Sequence, residues 1–158
     1  MALLTSRPKR MKDRPTTMPR AAYTQTEGGF WKKMKSGVAK SKADWVMTRL
    51  ESWALPGVPD ILACDAKGRF HLIELKYTKD NSVRLSPHQV GFFRRHEHAS
   101  IWLFVRHDPK NGVPRLLLYP PEQVVALSMD GIKGATPVEE FEDPLDWTRI
   151  TEVVENEY

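Results

Sequence analysis

Residues 70–77, Phe-His-Leu-Ile-Glu-Leu-Lys-Tyr, constrain this chain more than any other stretch. They read as a β-strand, along which successive side chains point to opposite faces. Phe70, Leu72, Glu74 and Lys76 therefore share one face, and His71, Ile73, Leu75 and Tyr77 the other. An isolated carboxylate and ammonium buried among Leu72, Ile73 and Leu75 would each cost on the order of several kcal/mol, unless they pair or bind something. Asp60–Asp65 reads as the preceding strand, and Ala66-Lys67-Gly68 is a short glycine-containing connection of the kind that closes a hairpin. The hairpin sets Pro59-Asp60 across from Glu74-Leu75-Lys76.

The remaining elements follow from periodicity and punctuation. Between Glu27 and about Lys40, Phe30, Trp31, Met34 and Val38 make a helical stripe surrounded by lysines. Trp45–Ser52 has a period near two and is expected as a strand, with a helix as the alternative. Leu55-Pro56-Gly57-Val58-Pro59 can continue neither element and must turn. Ser86 is a plausible N-cap with Pro87 at the first helical position of a second helix running to about His98. Ile101–Val105 and Arg115–Tyr119 are short apolar runs suited to buried strands. Pro120 and Pro121 open a last short helix through Leu127, and the acidic remainder is expected to be peripheral or frayed.

The length, 158 residues, suits one domain with a short arm or tail to spare. Charge divides it. Residues 1–50 carry 12 basic and 3 acidic side chains, residues 51–129 carry 10 and 8, and residues 130–158 carry 2 and 9. The run RPKRMKDRPTTMPR, Arg7 to Arg20, has three prolines and six basic residues and is expected to be a mobile arm, either contacting an anionic partner or merely solvated. The organisation expected is a basic arm over 1–22, a folded domain over 23–130 and an acidic extension over 131–158. The single Cys64 excludes an internal disulfide framework and a cysteine-cluster zinc site, and is expected to be a small buried side chain in a reducing cytosol. No apolar run approaches a membrane span, and Met1–Thr5 is too short for a signal-peptide core, so no membrane association is expected.

Two carboxylates, Asp60 and Glu74, meeting at one hairpin supply hard oxygen ligands suited to Mg²⁺, which typically takes one or two protein carboxylates and keeps waters. Lys76 beside them can orient a nucleophilic water or neutralise charge developing on a phosphate. The acid-x-Lys triplet also occurs at Asp65-Ala66-Lys67 and Asp108-Pro109-Lys110, but those lie in turns where charge is ordinary. The alternative for Glu74 and Lys76 is a surface ion pair on a half-exposed strand. His96 and His98, two apart on a predicted helix, point to different faces, so zinc is not expected. Trp31, Trp45, Trp53, Trp102 and Trp147 are dispersed and suit core packing better than base stacking.

Glu27-x-x-Phe30-Trp31, Arg49-Leu50-Glu51, Pro56-Gly57-Val58-Pro59-Asp60, Glu74-Leu75-Lys76 and Leu85-Ser86-Pro87-His88-Gln89 appear in that order. In these motifs the chain resembles the PD-(D/E)xK nuclease superfamily, and more closely its virus-type replication-repair (VRR-NUC) and phage Holliday-junction-resolvase-like members, over about Glu27 to Tyr119. The resemblance implies an α/β fold with a restriction-endonuclease-like αβββαβ core, a mixed central sheet flanked by helices. It also implies a site for Mg²⁺ or Mn²⁺ at Asp60 and Glu74, with Lys76 catalytic, a first-helix acid at Glu27 and a second-helix glutamine at Gln89. Gly28 and Gly29 weaken the helix at Glu27, and Glu51 is the alternative third acid.

The implied activity is endonucleolytic hydrolysis of branched or structured DNA, in phage or prophage replication or recombination within the bacterial cytoplasm. A homodimer is expected because symmetric junction cutting takes two sites. The alternatives are a general or restriction-type DNA nuclease, and a non-catalytic DNA-binding protein on the same fold. Arg10, Lys32, Lys33, Lys35, Lys40, Arg49, Arg94 and Arg95 are the expected phosphate contacts, against the plainer account of solvated helix faces.

Overall fold

A computed structural model describes residues 26–50 and 54–158. The basic arm, with Arg10, and the segment 51–53, with Glu51 and Trp53, lie outside the described residues. The elements in chain order are α1 (Glu27–Lys40), β1 (Val46–Arg49), β2 (Ile61–Cys64), β3 (Phe70–Thr78), α2 (Pro87–Arg95), β4 (Ile101–His107), β5 (Arg115–Tyr119), α3 (Val124–Asp130), β6 (Glu139–Glu142) and α4 (Trp147–Asn156). One short 3₁₀ turn, Pro121–Gln123, leads into α3, and another, Ile132–Gly134, follows it. The fold is α/β, built on a six-stranded sheet in the order β1-β2-β3-β4-β5-β6. β3 and β4 are parallel and every other neighbouring pair is antiparallel.

The β2–β3 hairpin forms as its composition predicts. Gly68 takes φ +77°, the left-handed value that glycine adopts without penalty. Asp65 Oδ1 accepts from the Lys67 and Arg69 amides at 2.9 Å each, which fixes the turn. Parallel β3 and β4 cannot be joined by a tight turn, and α2 makes the crossover. Its start is a complete capping box: the Ser86 hydroxyl accepts from the Gln89 amide, and the Gln89 side chain accepts from the Ser86 amide. α2 stops at Arg95, short of the expected His98. Arg94 and Arg95, cations favoured at a helix C-terminus, fill its last turn, and His96 is the C-cap.

The core lies on both faces of the sheet. On one face α1 and α4 cover Ile61, Ala63, Ile73, Leu75, Trp102, Phe104, Leu116 and Leu118 with Phe30, Met34, Val38, Trp147, Ile150, Val153 and Val154. On the other, Phe93 of α2 and Val124 and Leu127 of α3 cover Ile101, Leu103, Val105, Leu117 and Tyr119. Burial on both faces explains why β4 reads as an unbroken apolar run. Trp31, Trp45, Trp102 and Trp147 all pack in or against the first cluster, as their dispersal predicts. Cys64 is half-buried rather than buried.

The acidic C-terminal segment is not peripheral, a correction to the expectation from charge. It supplies β6, paired to β5, and α4, whose Ile150 and Val154 are almost wholly buried. Each such side chain is worth roughly 1.5–3 kcal/mol on burial. Its acids are spent on pairing: Asp143 takes Arg106 of β4 and Lys33 of α1, Glu140 takes Arg115, and Glu139 takes Arg149. Trp45 Nε1 donates to Glu155 Oε1 at 2.7 Å, joining β1 to α4.

Candidate active site

The β2–β3 register builds the site. Ile61 stands opposite Ile73 and Leu62 opposite Leu72, so one further step in the same antiparallel register brings Asp60 opposite Glu74. Asp60 Oδ2 accepts from the Leu75 amide at 2.9 Å, which fixes its carboxylate against the β3 backbone between Glu74 and Lys76 in sequence. The Leu50 amide donates to the Asp60 carbonyl at 2.7 Å and fixes its backbone from β1. Lys76 Nζ lies 2.9 Å from Glu74 Oε1, as their shared face requires, and 3.7 Å from Glu27 Oε1 at the start of α1.

Burial decides between the two accounts of that pair. Glu74 is 1% exposed and Lys76 9%. This is not a surface ion pair on a half-exposed strand. The Glu27 end of α1 is secured despite Gly28 and Gly29, because the Thr26 hydroxyl caps the helix by accepting from the Gly29 amide at 3.1 Å.

Gln89 caps α2 and also reaches the candidate site. Its Oε1 accepts from the Ser86 amide at 2.9 Å, and its Nε2 donates to Glu74 Oε1 at 2.5 Å. The first contact orients the amide and the second orients the carboxylate. The turn before Asp60 is packed against this same helix start. Gly57 adopts φ +90°, and a Cβ there would lie 2.4 Å from the His88 carbonyl oxygen. Only glycine allows the Pro56–Pro59 turn and the first turn of α2 to approach this closely.

The electrostatics show an excess of negative charge around one ammonium. Burial pushes the Glu74 carboxyl up to about 7 against the pull of Lys76, and the charges of Asp60 and Glu27 add to the push. Burial also raises Glu27, opposed by Lys76 and Arg49 and reinforced by Asp60. Burial would lower Lys76, but Glu74, Glu27 and Asp60 outweigh it and hold the ammonium above its usual value. Three carboxylates thus crowd around Lys76, with Arg49 acting on Glu27 alone, an arrangement that a hard divalent ion would relieve.

Among the described residues no group of three or more His, Cys, Asp and Glu side chains gathers closely enough to enclose a metal. Asp60 and Glu74 are a donor set of the sparse kind, two carboxylates that leave the remaining positions to water and substrate oxygens. That fits Mg²⁺ or Mn²⁺ and does not fit a dedicated cage. Glu27 sits on the Lys76 side of the site.

The expected phosphate contacts are less uniform. Lys32, Lys35 and Lys40 are exposed on α1, Arg49 on β1, and Arg94 and Arg95 on the last turn of α2. Lys33, in contrast, is committed to Asp143 Oδ1 at 3.0 Å and ties α1 to the turn before α4. Sequence reasoning missed one buried cluster altogether. Asp65 Oδ2 meets His71 Nε2 at 3.1 Å and Arg69 Nε at 2.8 Å, His71 Nδ1 meets Ser100 Oγ, and Trp45 stacks on the imidazole. Its one signal was a histidine at an inward-facing position of β3.

No family model and no curated protein matches this chain. The chemistry open to the site follows from its geometry: two carboxylates, a glutamine that orients one of them, and an ammonium within contact of both Glu74 and Glu27.

Proposed function

We propose that the protein is a PD-(D/E)xK-type, metal-dependent endodeoxyribonuclease that hydrolyses phosphodiester bonds in branched or structured DNA. The observation that carries this reading is a buried Glu74–Lys76 pair on β3 with the half-buried Asp60 carboxylate held beside it by the Leu75 amide. The element order α1-β1-β2-β3-α2-β4, with β4 parallel to β3, supports the restriction-endonuclease-like core.

Asp60 and Glu74 would hold Mg²⁺ or Mn²⁺, with Glu27 at the edge of the site. The ion, when bound, would supply Lewis-acid polarisation of the phosphate and would lower the pKa of a water so that hydroxide is available as the nucleophile. Lys76 places its ammonium where negative charge grows on the phosphoryl oxygens and stabilises it there. Gln89 keeps the Glu74 carboxylate in one orientation, and the Leu75 amide does the same for Asp60. The exposed lysines and arginines of α1, β1 and α2 hold the DNA backbone. Symmetric cutting of a junction calls for two such sites, so the working unit is a homodimer.

The test is cleavage of an end-labelled four-way junction, alongside linear duplex and single strand, with Mg²⁺, with Mn²⁺ and with EDTA. Cutting of the junction in either metal and none in EDTA is expected, with Lys76→Ala binding the junction but leaving it intact. Equal cutting by Lys76→Ala and the wild type would remove the catalytic assignment. Cleavage of linear duplex as fast as junction would make the enzyme a general nuclease. Junction binding with no cutting in either metal would leave a DNA-binding protein on this fold.

A further inference from the structure

Beside the candidate site, Glu27 and Lys76 share a cleft of about 330 Å³ with Tyr77, Thr78, Asp80, Ser82 and Arg84. Among the described residues, Lys33 and Arg106 pair with Asp143, Arg69 with Asp65, Lys76 with Glu74, Arg115 with Glu140 and Arg149 with Glu139. Arg84 lines a cleft and, among the described residues, has no carboxylate partner. Its neighbours are anchored, Val83 buried in the second core cluster and Leu85 packed against it.

The wall that carries Arg84 is built rather than loose. The Thr78 hydroxyl bonds the Asp80 carbonyl at 3.2 Å and the Ser82 carbonyl at 2.8 Å, and accepts from the Asp80 amide at 3.1 Å. From the other side Asn81 is latched to the end of α3. Its Nδ2 donates to the Asp130 carbonyl, its Oδ1 accepts from the Lys133 amide, and its own carbonyl accepts from the Ile132 amide. Gly131, at φ +72°, fits closely enough that a Cβ would lie 2.3 Å from the Asn81 carbonyl oxygen. A guanidinium carried on a hydrogen-bonded wall, lining a cleft and without a carboxylate partner among the described residues, is available to grip a tetrahedral oxyanion through two parallel N–H donors.

We propose that Arg84 is a substrate-positioning residue that binds a backbone phosphate next to the one placed at Lys76, so that one nucleic-acid strand runs along the cleft from Lys76 to Arg84. The Ser82 hydroxyl, exposed on the same wall, is the second donor to that phosphate. This rests on the nuclease reading for the identity of the strand, and adds to it the direction in which the strand crosses the site. Asp80 on the same wall excludes a second phosphate from that side and sharpens the register.

The experiment is fluorescence-anisotropy binding of a labelled four-way junction in EDTA, where no turnover occurs, over a salt series, with the wild type, Arg84→Ala, Arg84→Lys and Ser82→Ala. Arg84 is exposed, and circular dichroism checks that each variant folds. Arg84→Ala is expected to bind about tenfold more weakly and to lower the log–log salt slope by about 0.9, one phosphate's share. Arg84→Lys should keep the slope and recover only part of the affinity. A methylphosphonate scan then locates the phosphate: one position should weaken the wild type and leave Arg84→Ala unchanged, and it should adjoin the cleaved bond.

In Mg²⁺, Arg84→Ala should raise KM more than it lowers kcat. Unchanged affinity and slope for Arg84→Ala, or no binding of the junction by the wild type, overturns the proposal. Cleavage by the wild type with an Arg84→Ala variant identical to it removes this inference and leaves the nuclease reading standing. Weaker binding by Arg84→Ala in a protein that cuts nothing keeps the cleft as a phosphate site and removes the nuclease.

Discussion

Glu74 and Asp65 are both buried carboxylates on the same hairpin, and their surroundings drive them in opposite directions. Glu74 meets burial and two other acids and rises to about 7, whereas burial of Asp65 is outweighed by the Arg69 amide, His71, the Arg69 guanidinium and the Lys67 amide, which hold it well below its usual value. A carboxyl depressed in the folded state stabilises fully above its unfolded value of about 3.9, and that stability is lost as pH falls through the folded one. The Asp65 contribution to the urea midpoint should therefore be flat above pH about 5 and fall below pH about 4, while Glu74, raised to about 7, adds a decline in stability as pH rises from about 5 to about 7. Asp65→Asn should be less stable at neutral pH, because it leaves Arg69 and His71 short of a partner, and should show a shallower acid limb. Parallel curves for variant and wild type would show that Asp65 does not carry this dependence. The contrast also marks what residue types alone can reveal. Glu74 stood out because it interrupts apolar residues at a period of two, while Asp65 sat in a turn where a charge looks ordinary, and only the tertiary fold brings His71 and Ser100 to it.

The elements nearest the site were legible for local reasons: a glycine turn for the β2–β3 hairpin, Ser86-Pro87 with Gln89 for the start of α2, a four-residue apolar stripe for α1. α4 was not read, although Trp147, Ile150, Thr151 and Val154 carry a helical stripe, because the strong negative charge of the segment pointed to a solvated tail. The partners that neutralise it, Arg106, Lys33 and Arg115, are far away in sequence. Packing between α1 and α4 gives a prediction whose sign departs from the usual rule. Glycine to alanine inside a helix ordinarily gains about 0.5–1 kcal/mol. A Cβ on Gly37 would lie 2.0 Å from Trp147 Nε1, so Gly37→Ala should instead destabilise by roughly 1–3 kcal/mol, as overpacking does. Thermal melts read the sign directly, and a raised Tm would mean that α1 and α4 are not packed this closely.

At the scale of the molecule, the resemblance covered Glu27 to Tyr119, and the sheet continues beyond that span into β6 while α4 closes the first core. Removing residues 139–158 should therefore abolish cooperative unfolding, whereas a dispensable extension would leave the melting transition in place; calorimetry distinguishes the two. Among the described residues no helix is long and apolar enough to cross a membrane.

The sheet runs in chain order and changes direction of pairing only once, between β3 and β4. It consists of two antiparallel three-stranded meanders joined along one parallel seam, which pairs residues farther apart in sequence than any pair in the β2–β3 hairpin. Asp60, Glu74 and Lys76 all belong to the first meander, while Gln89 rides on the crossover that closes the seam. The two acids are thus brought together by the hairpin alone, and the amide that aims one of them depends on the longer crossover, so alignment of the site is tied to closure of the whole sheet.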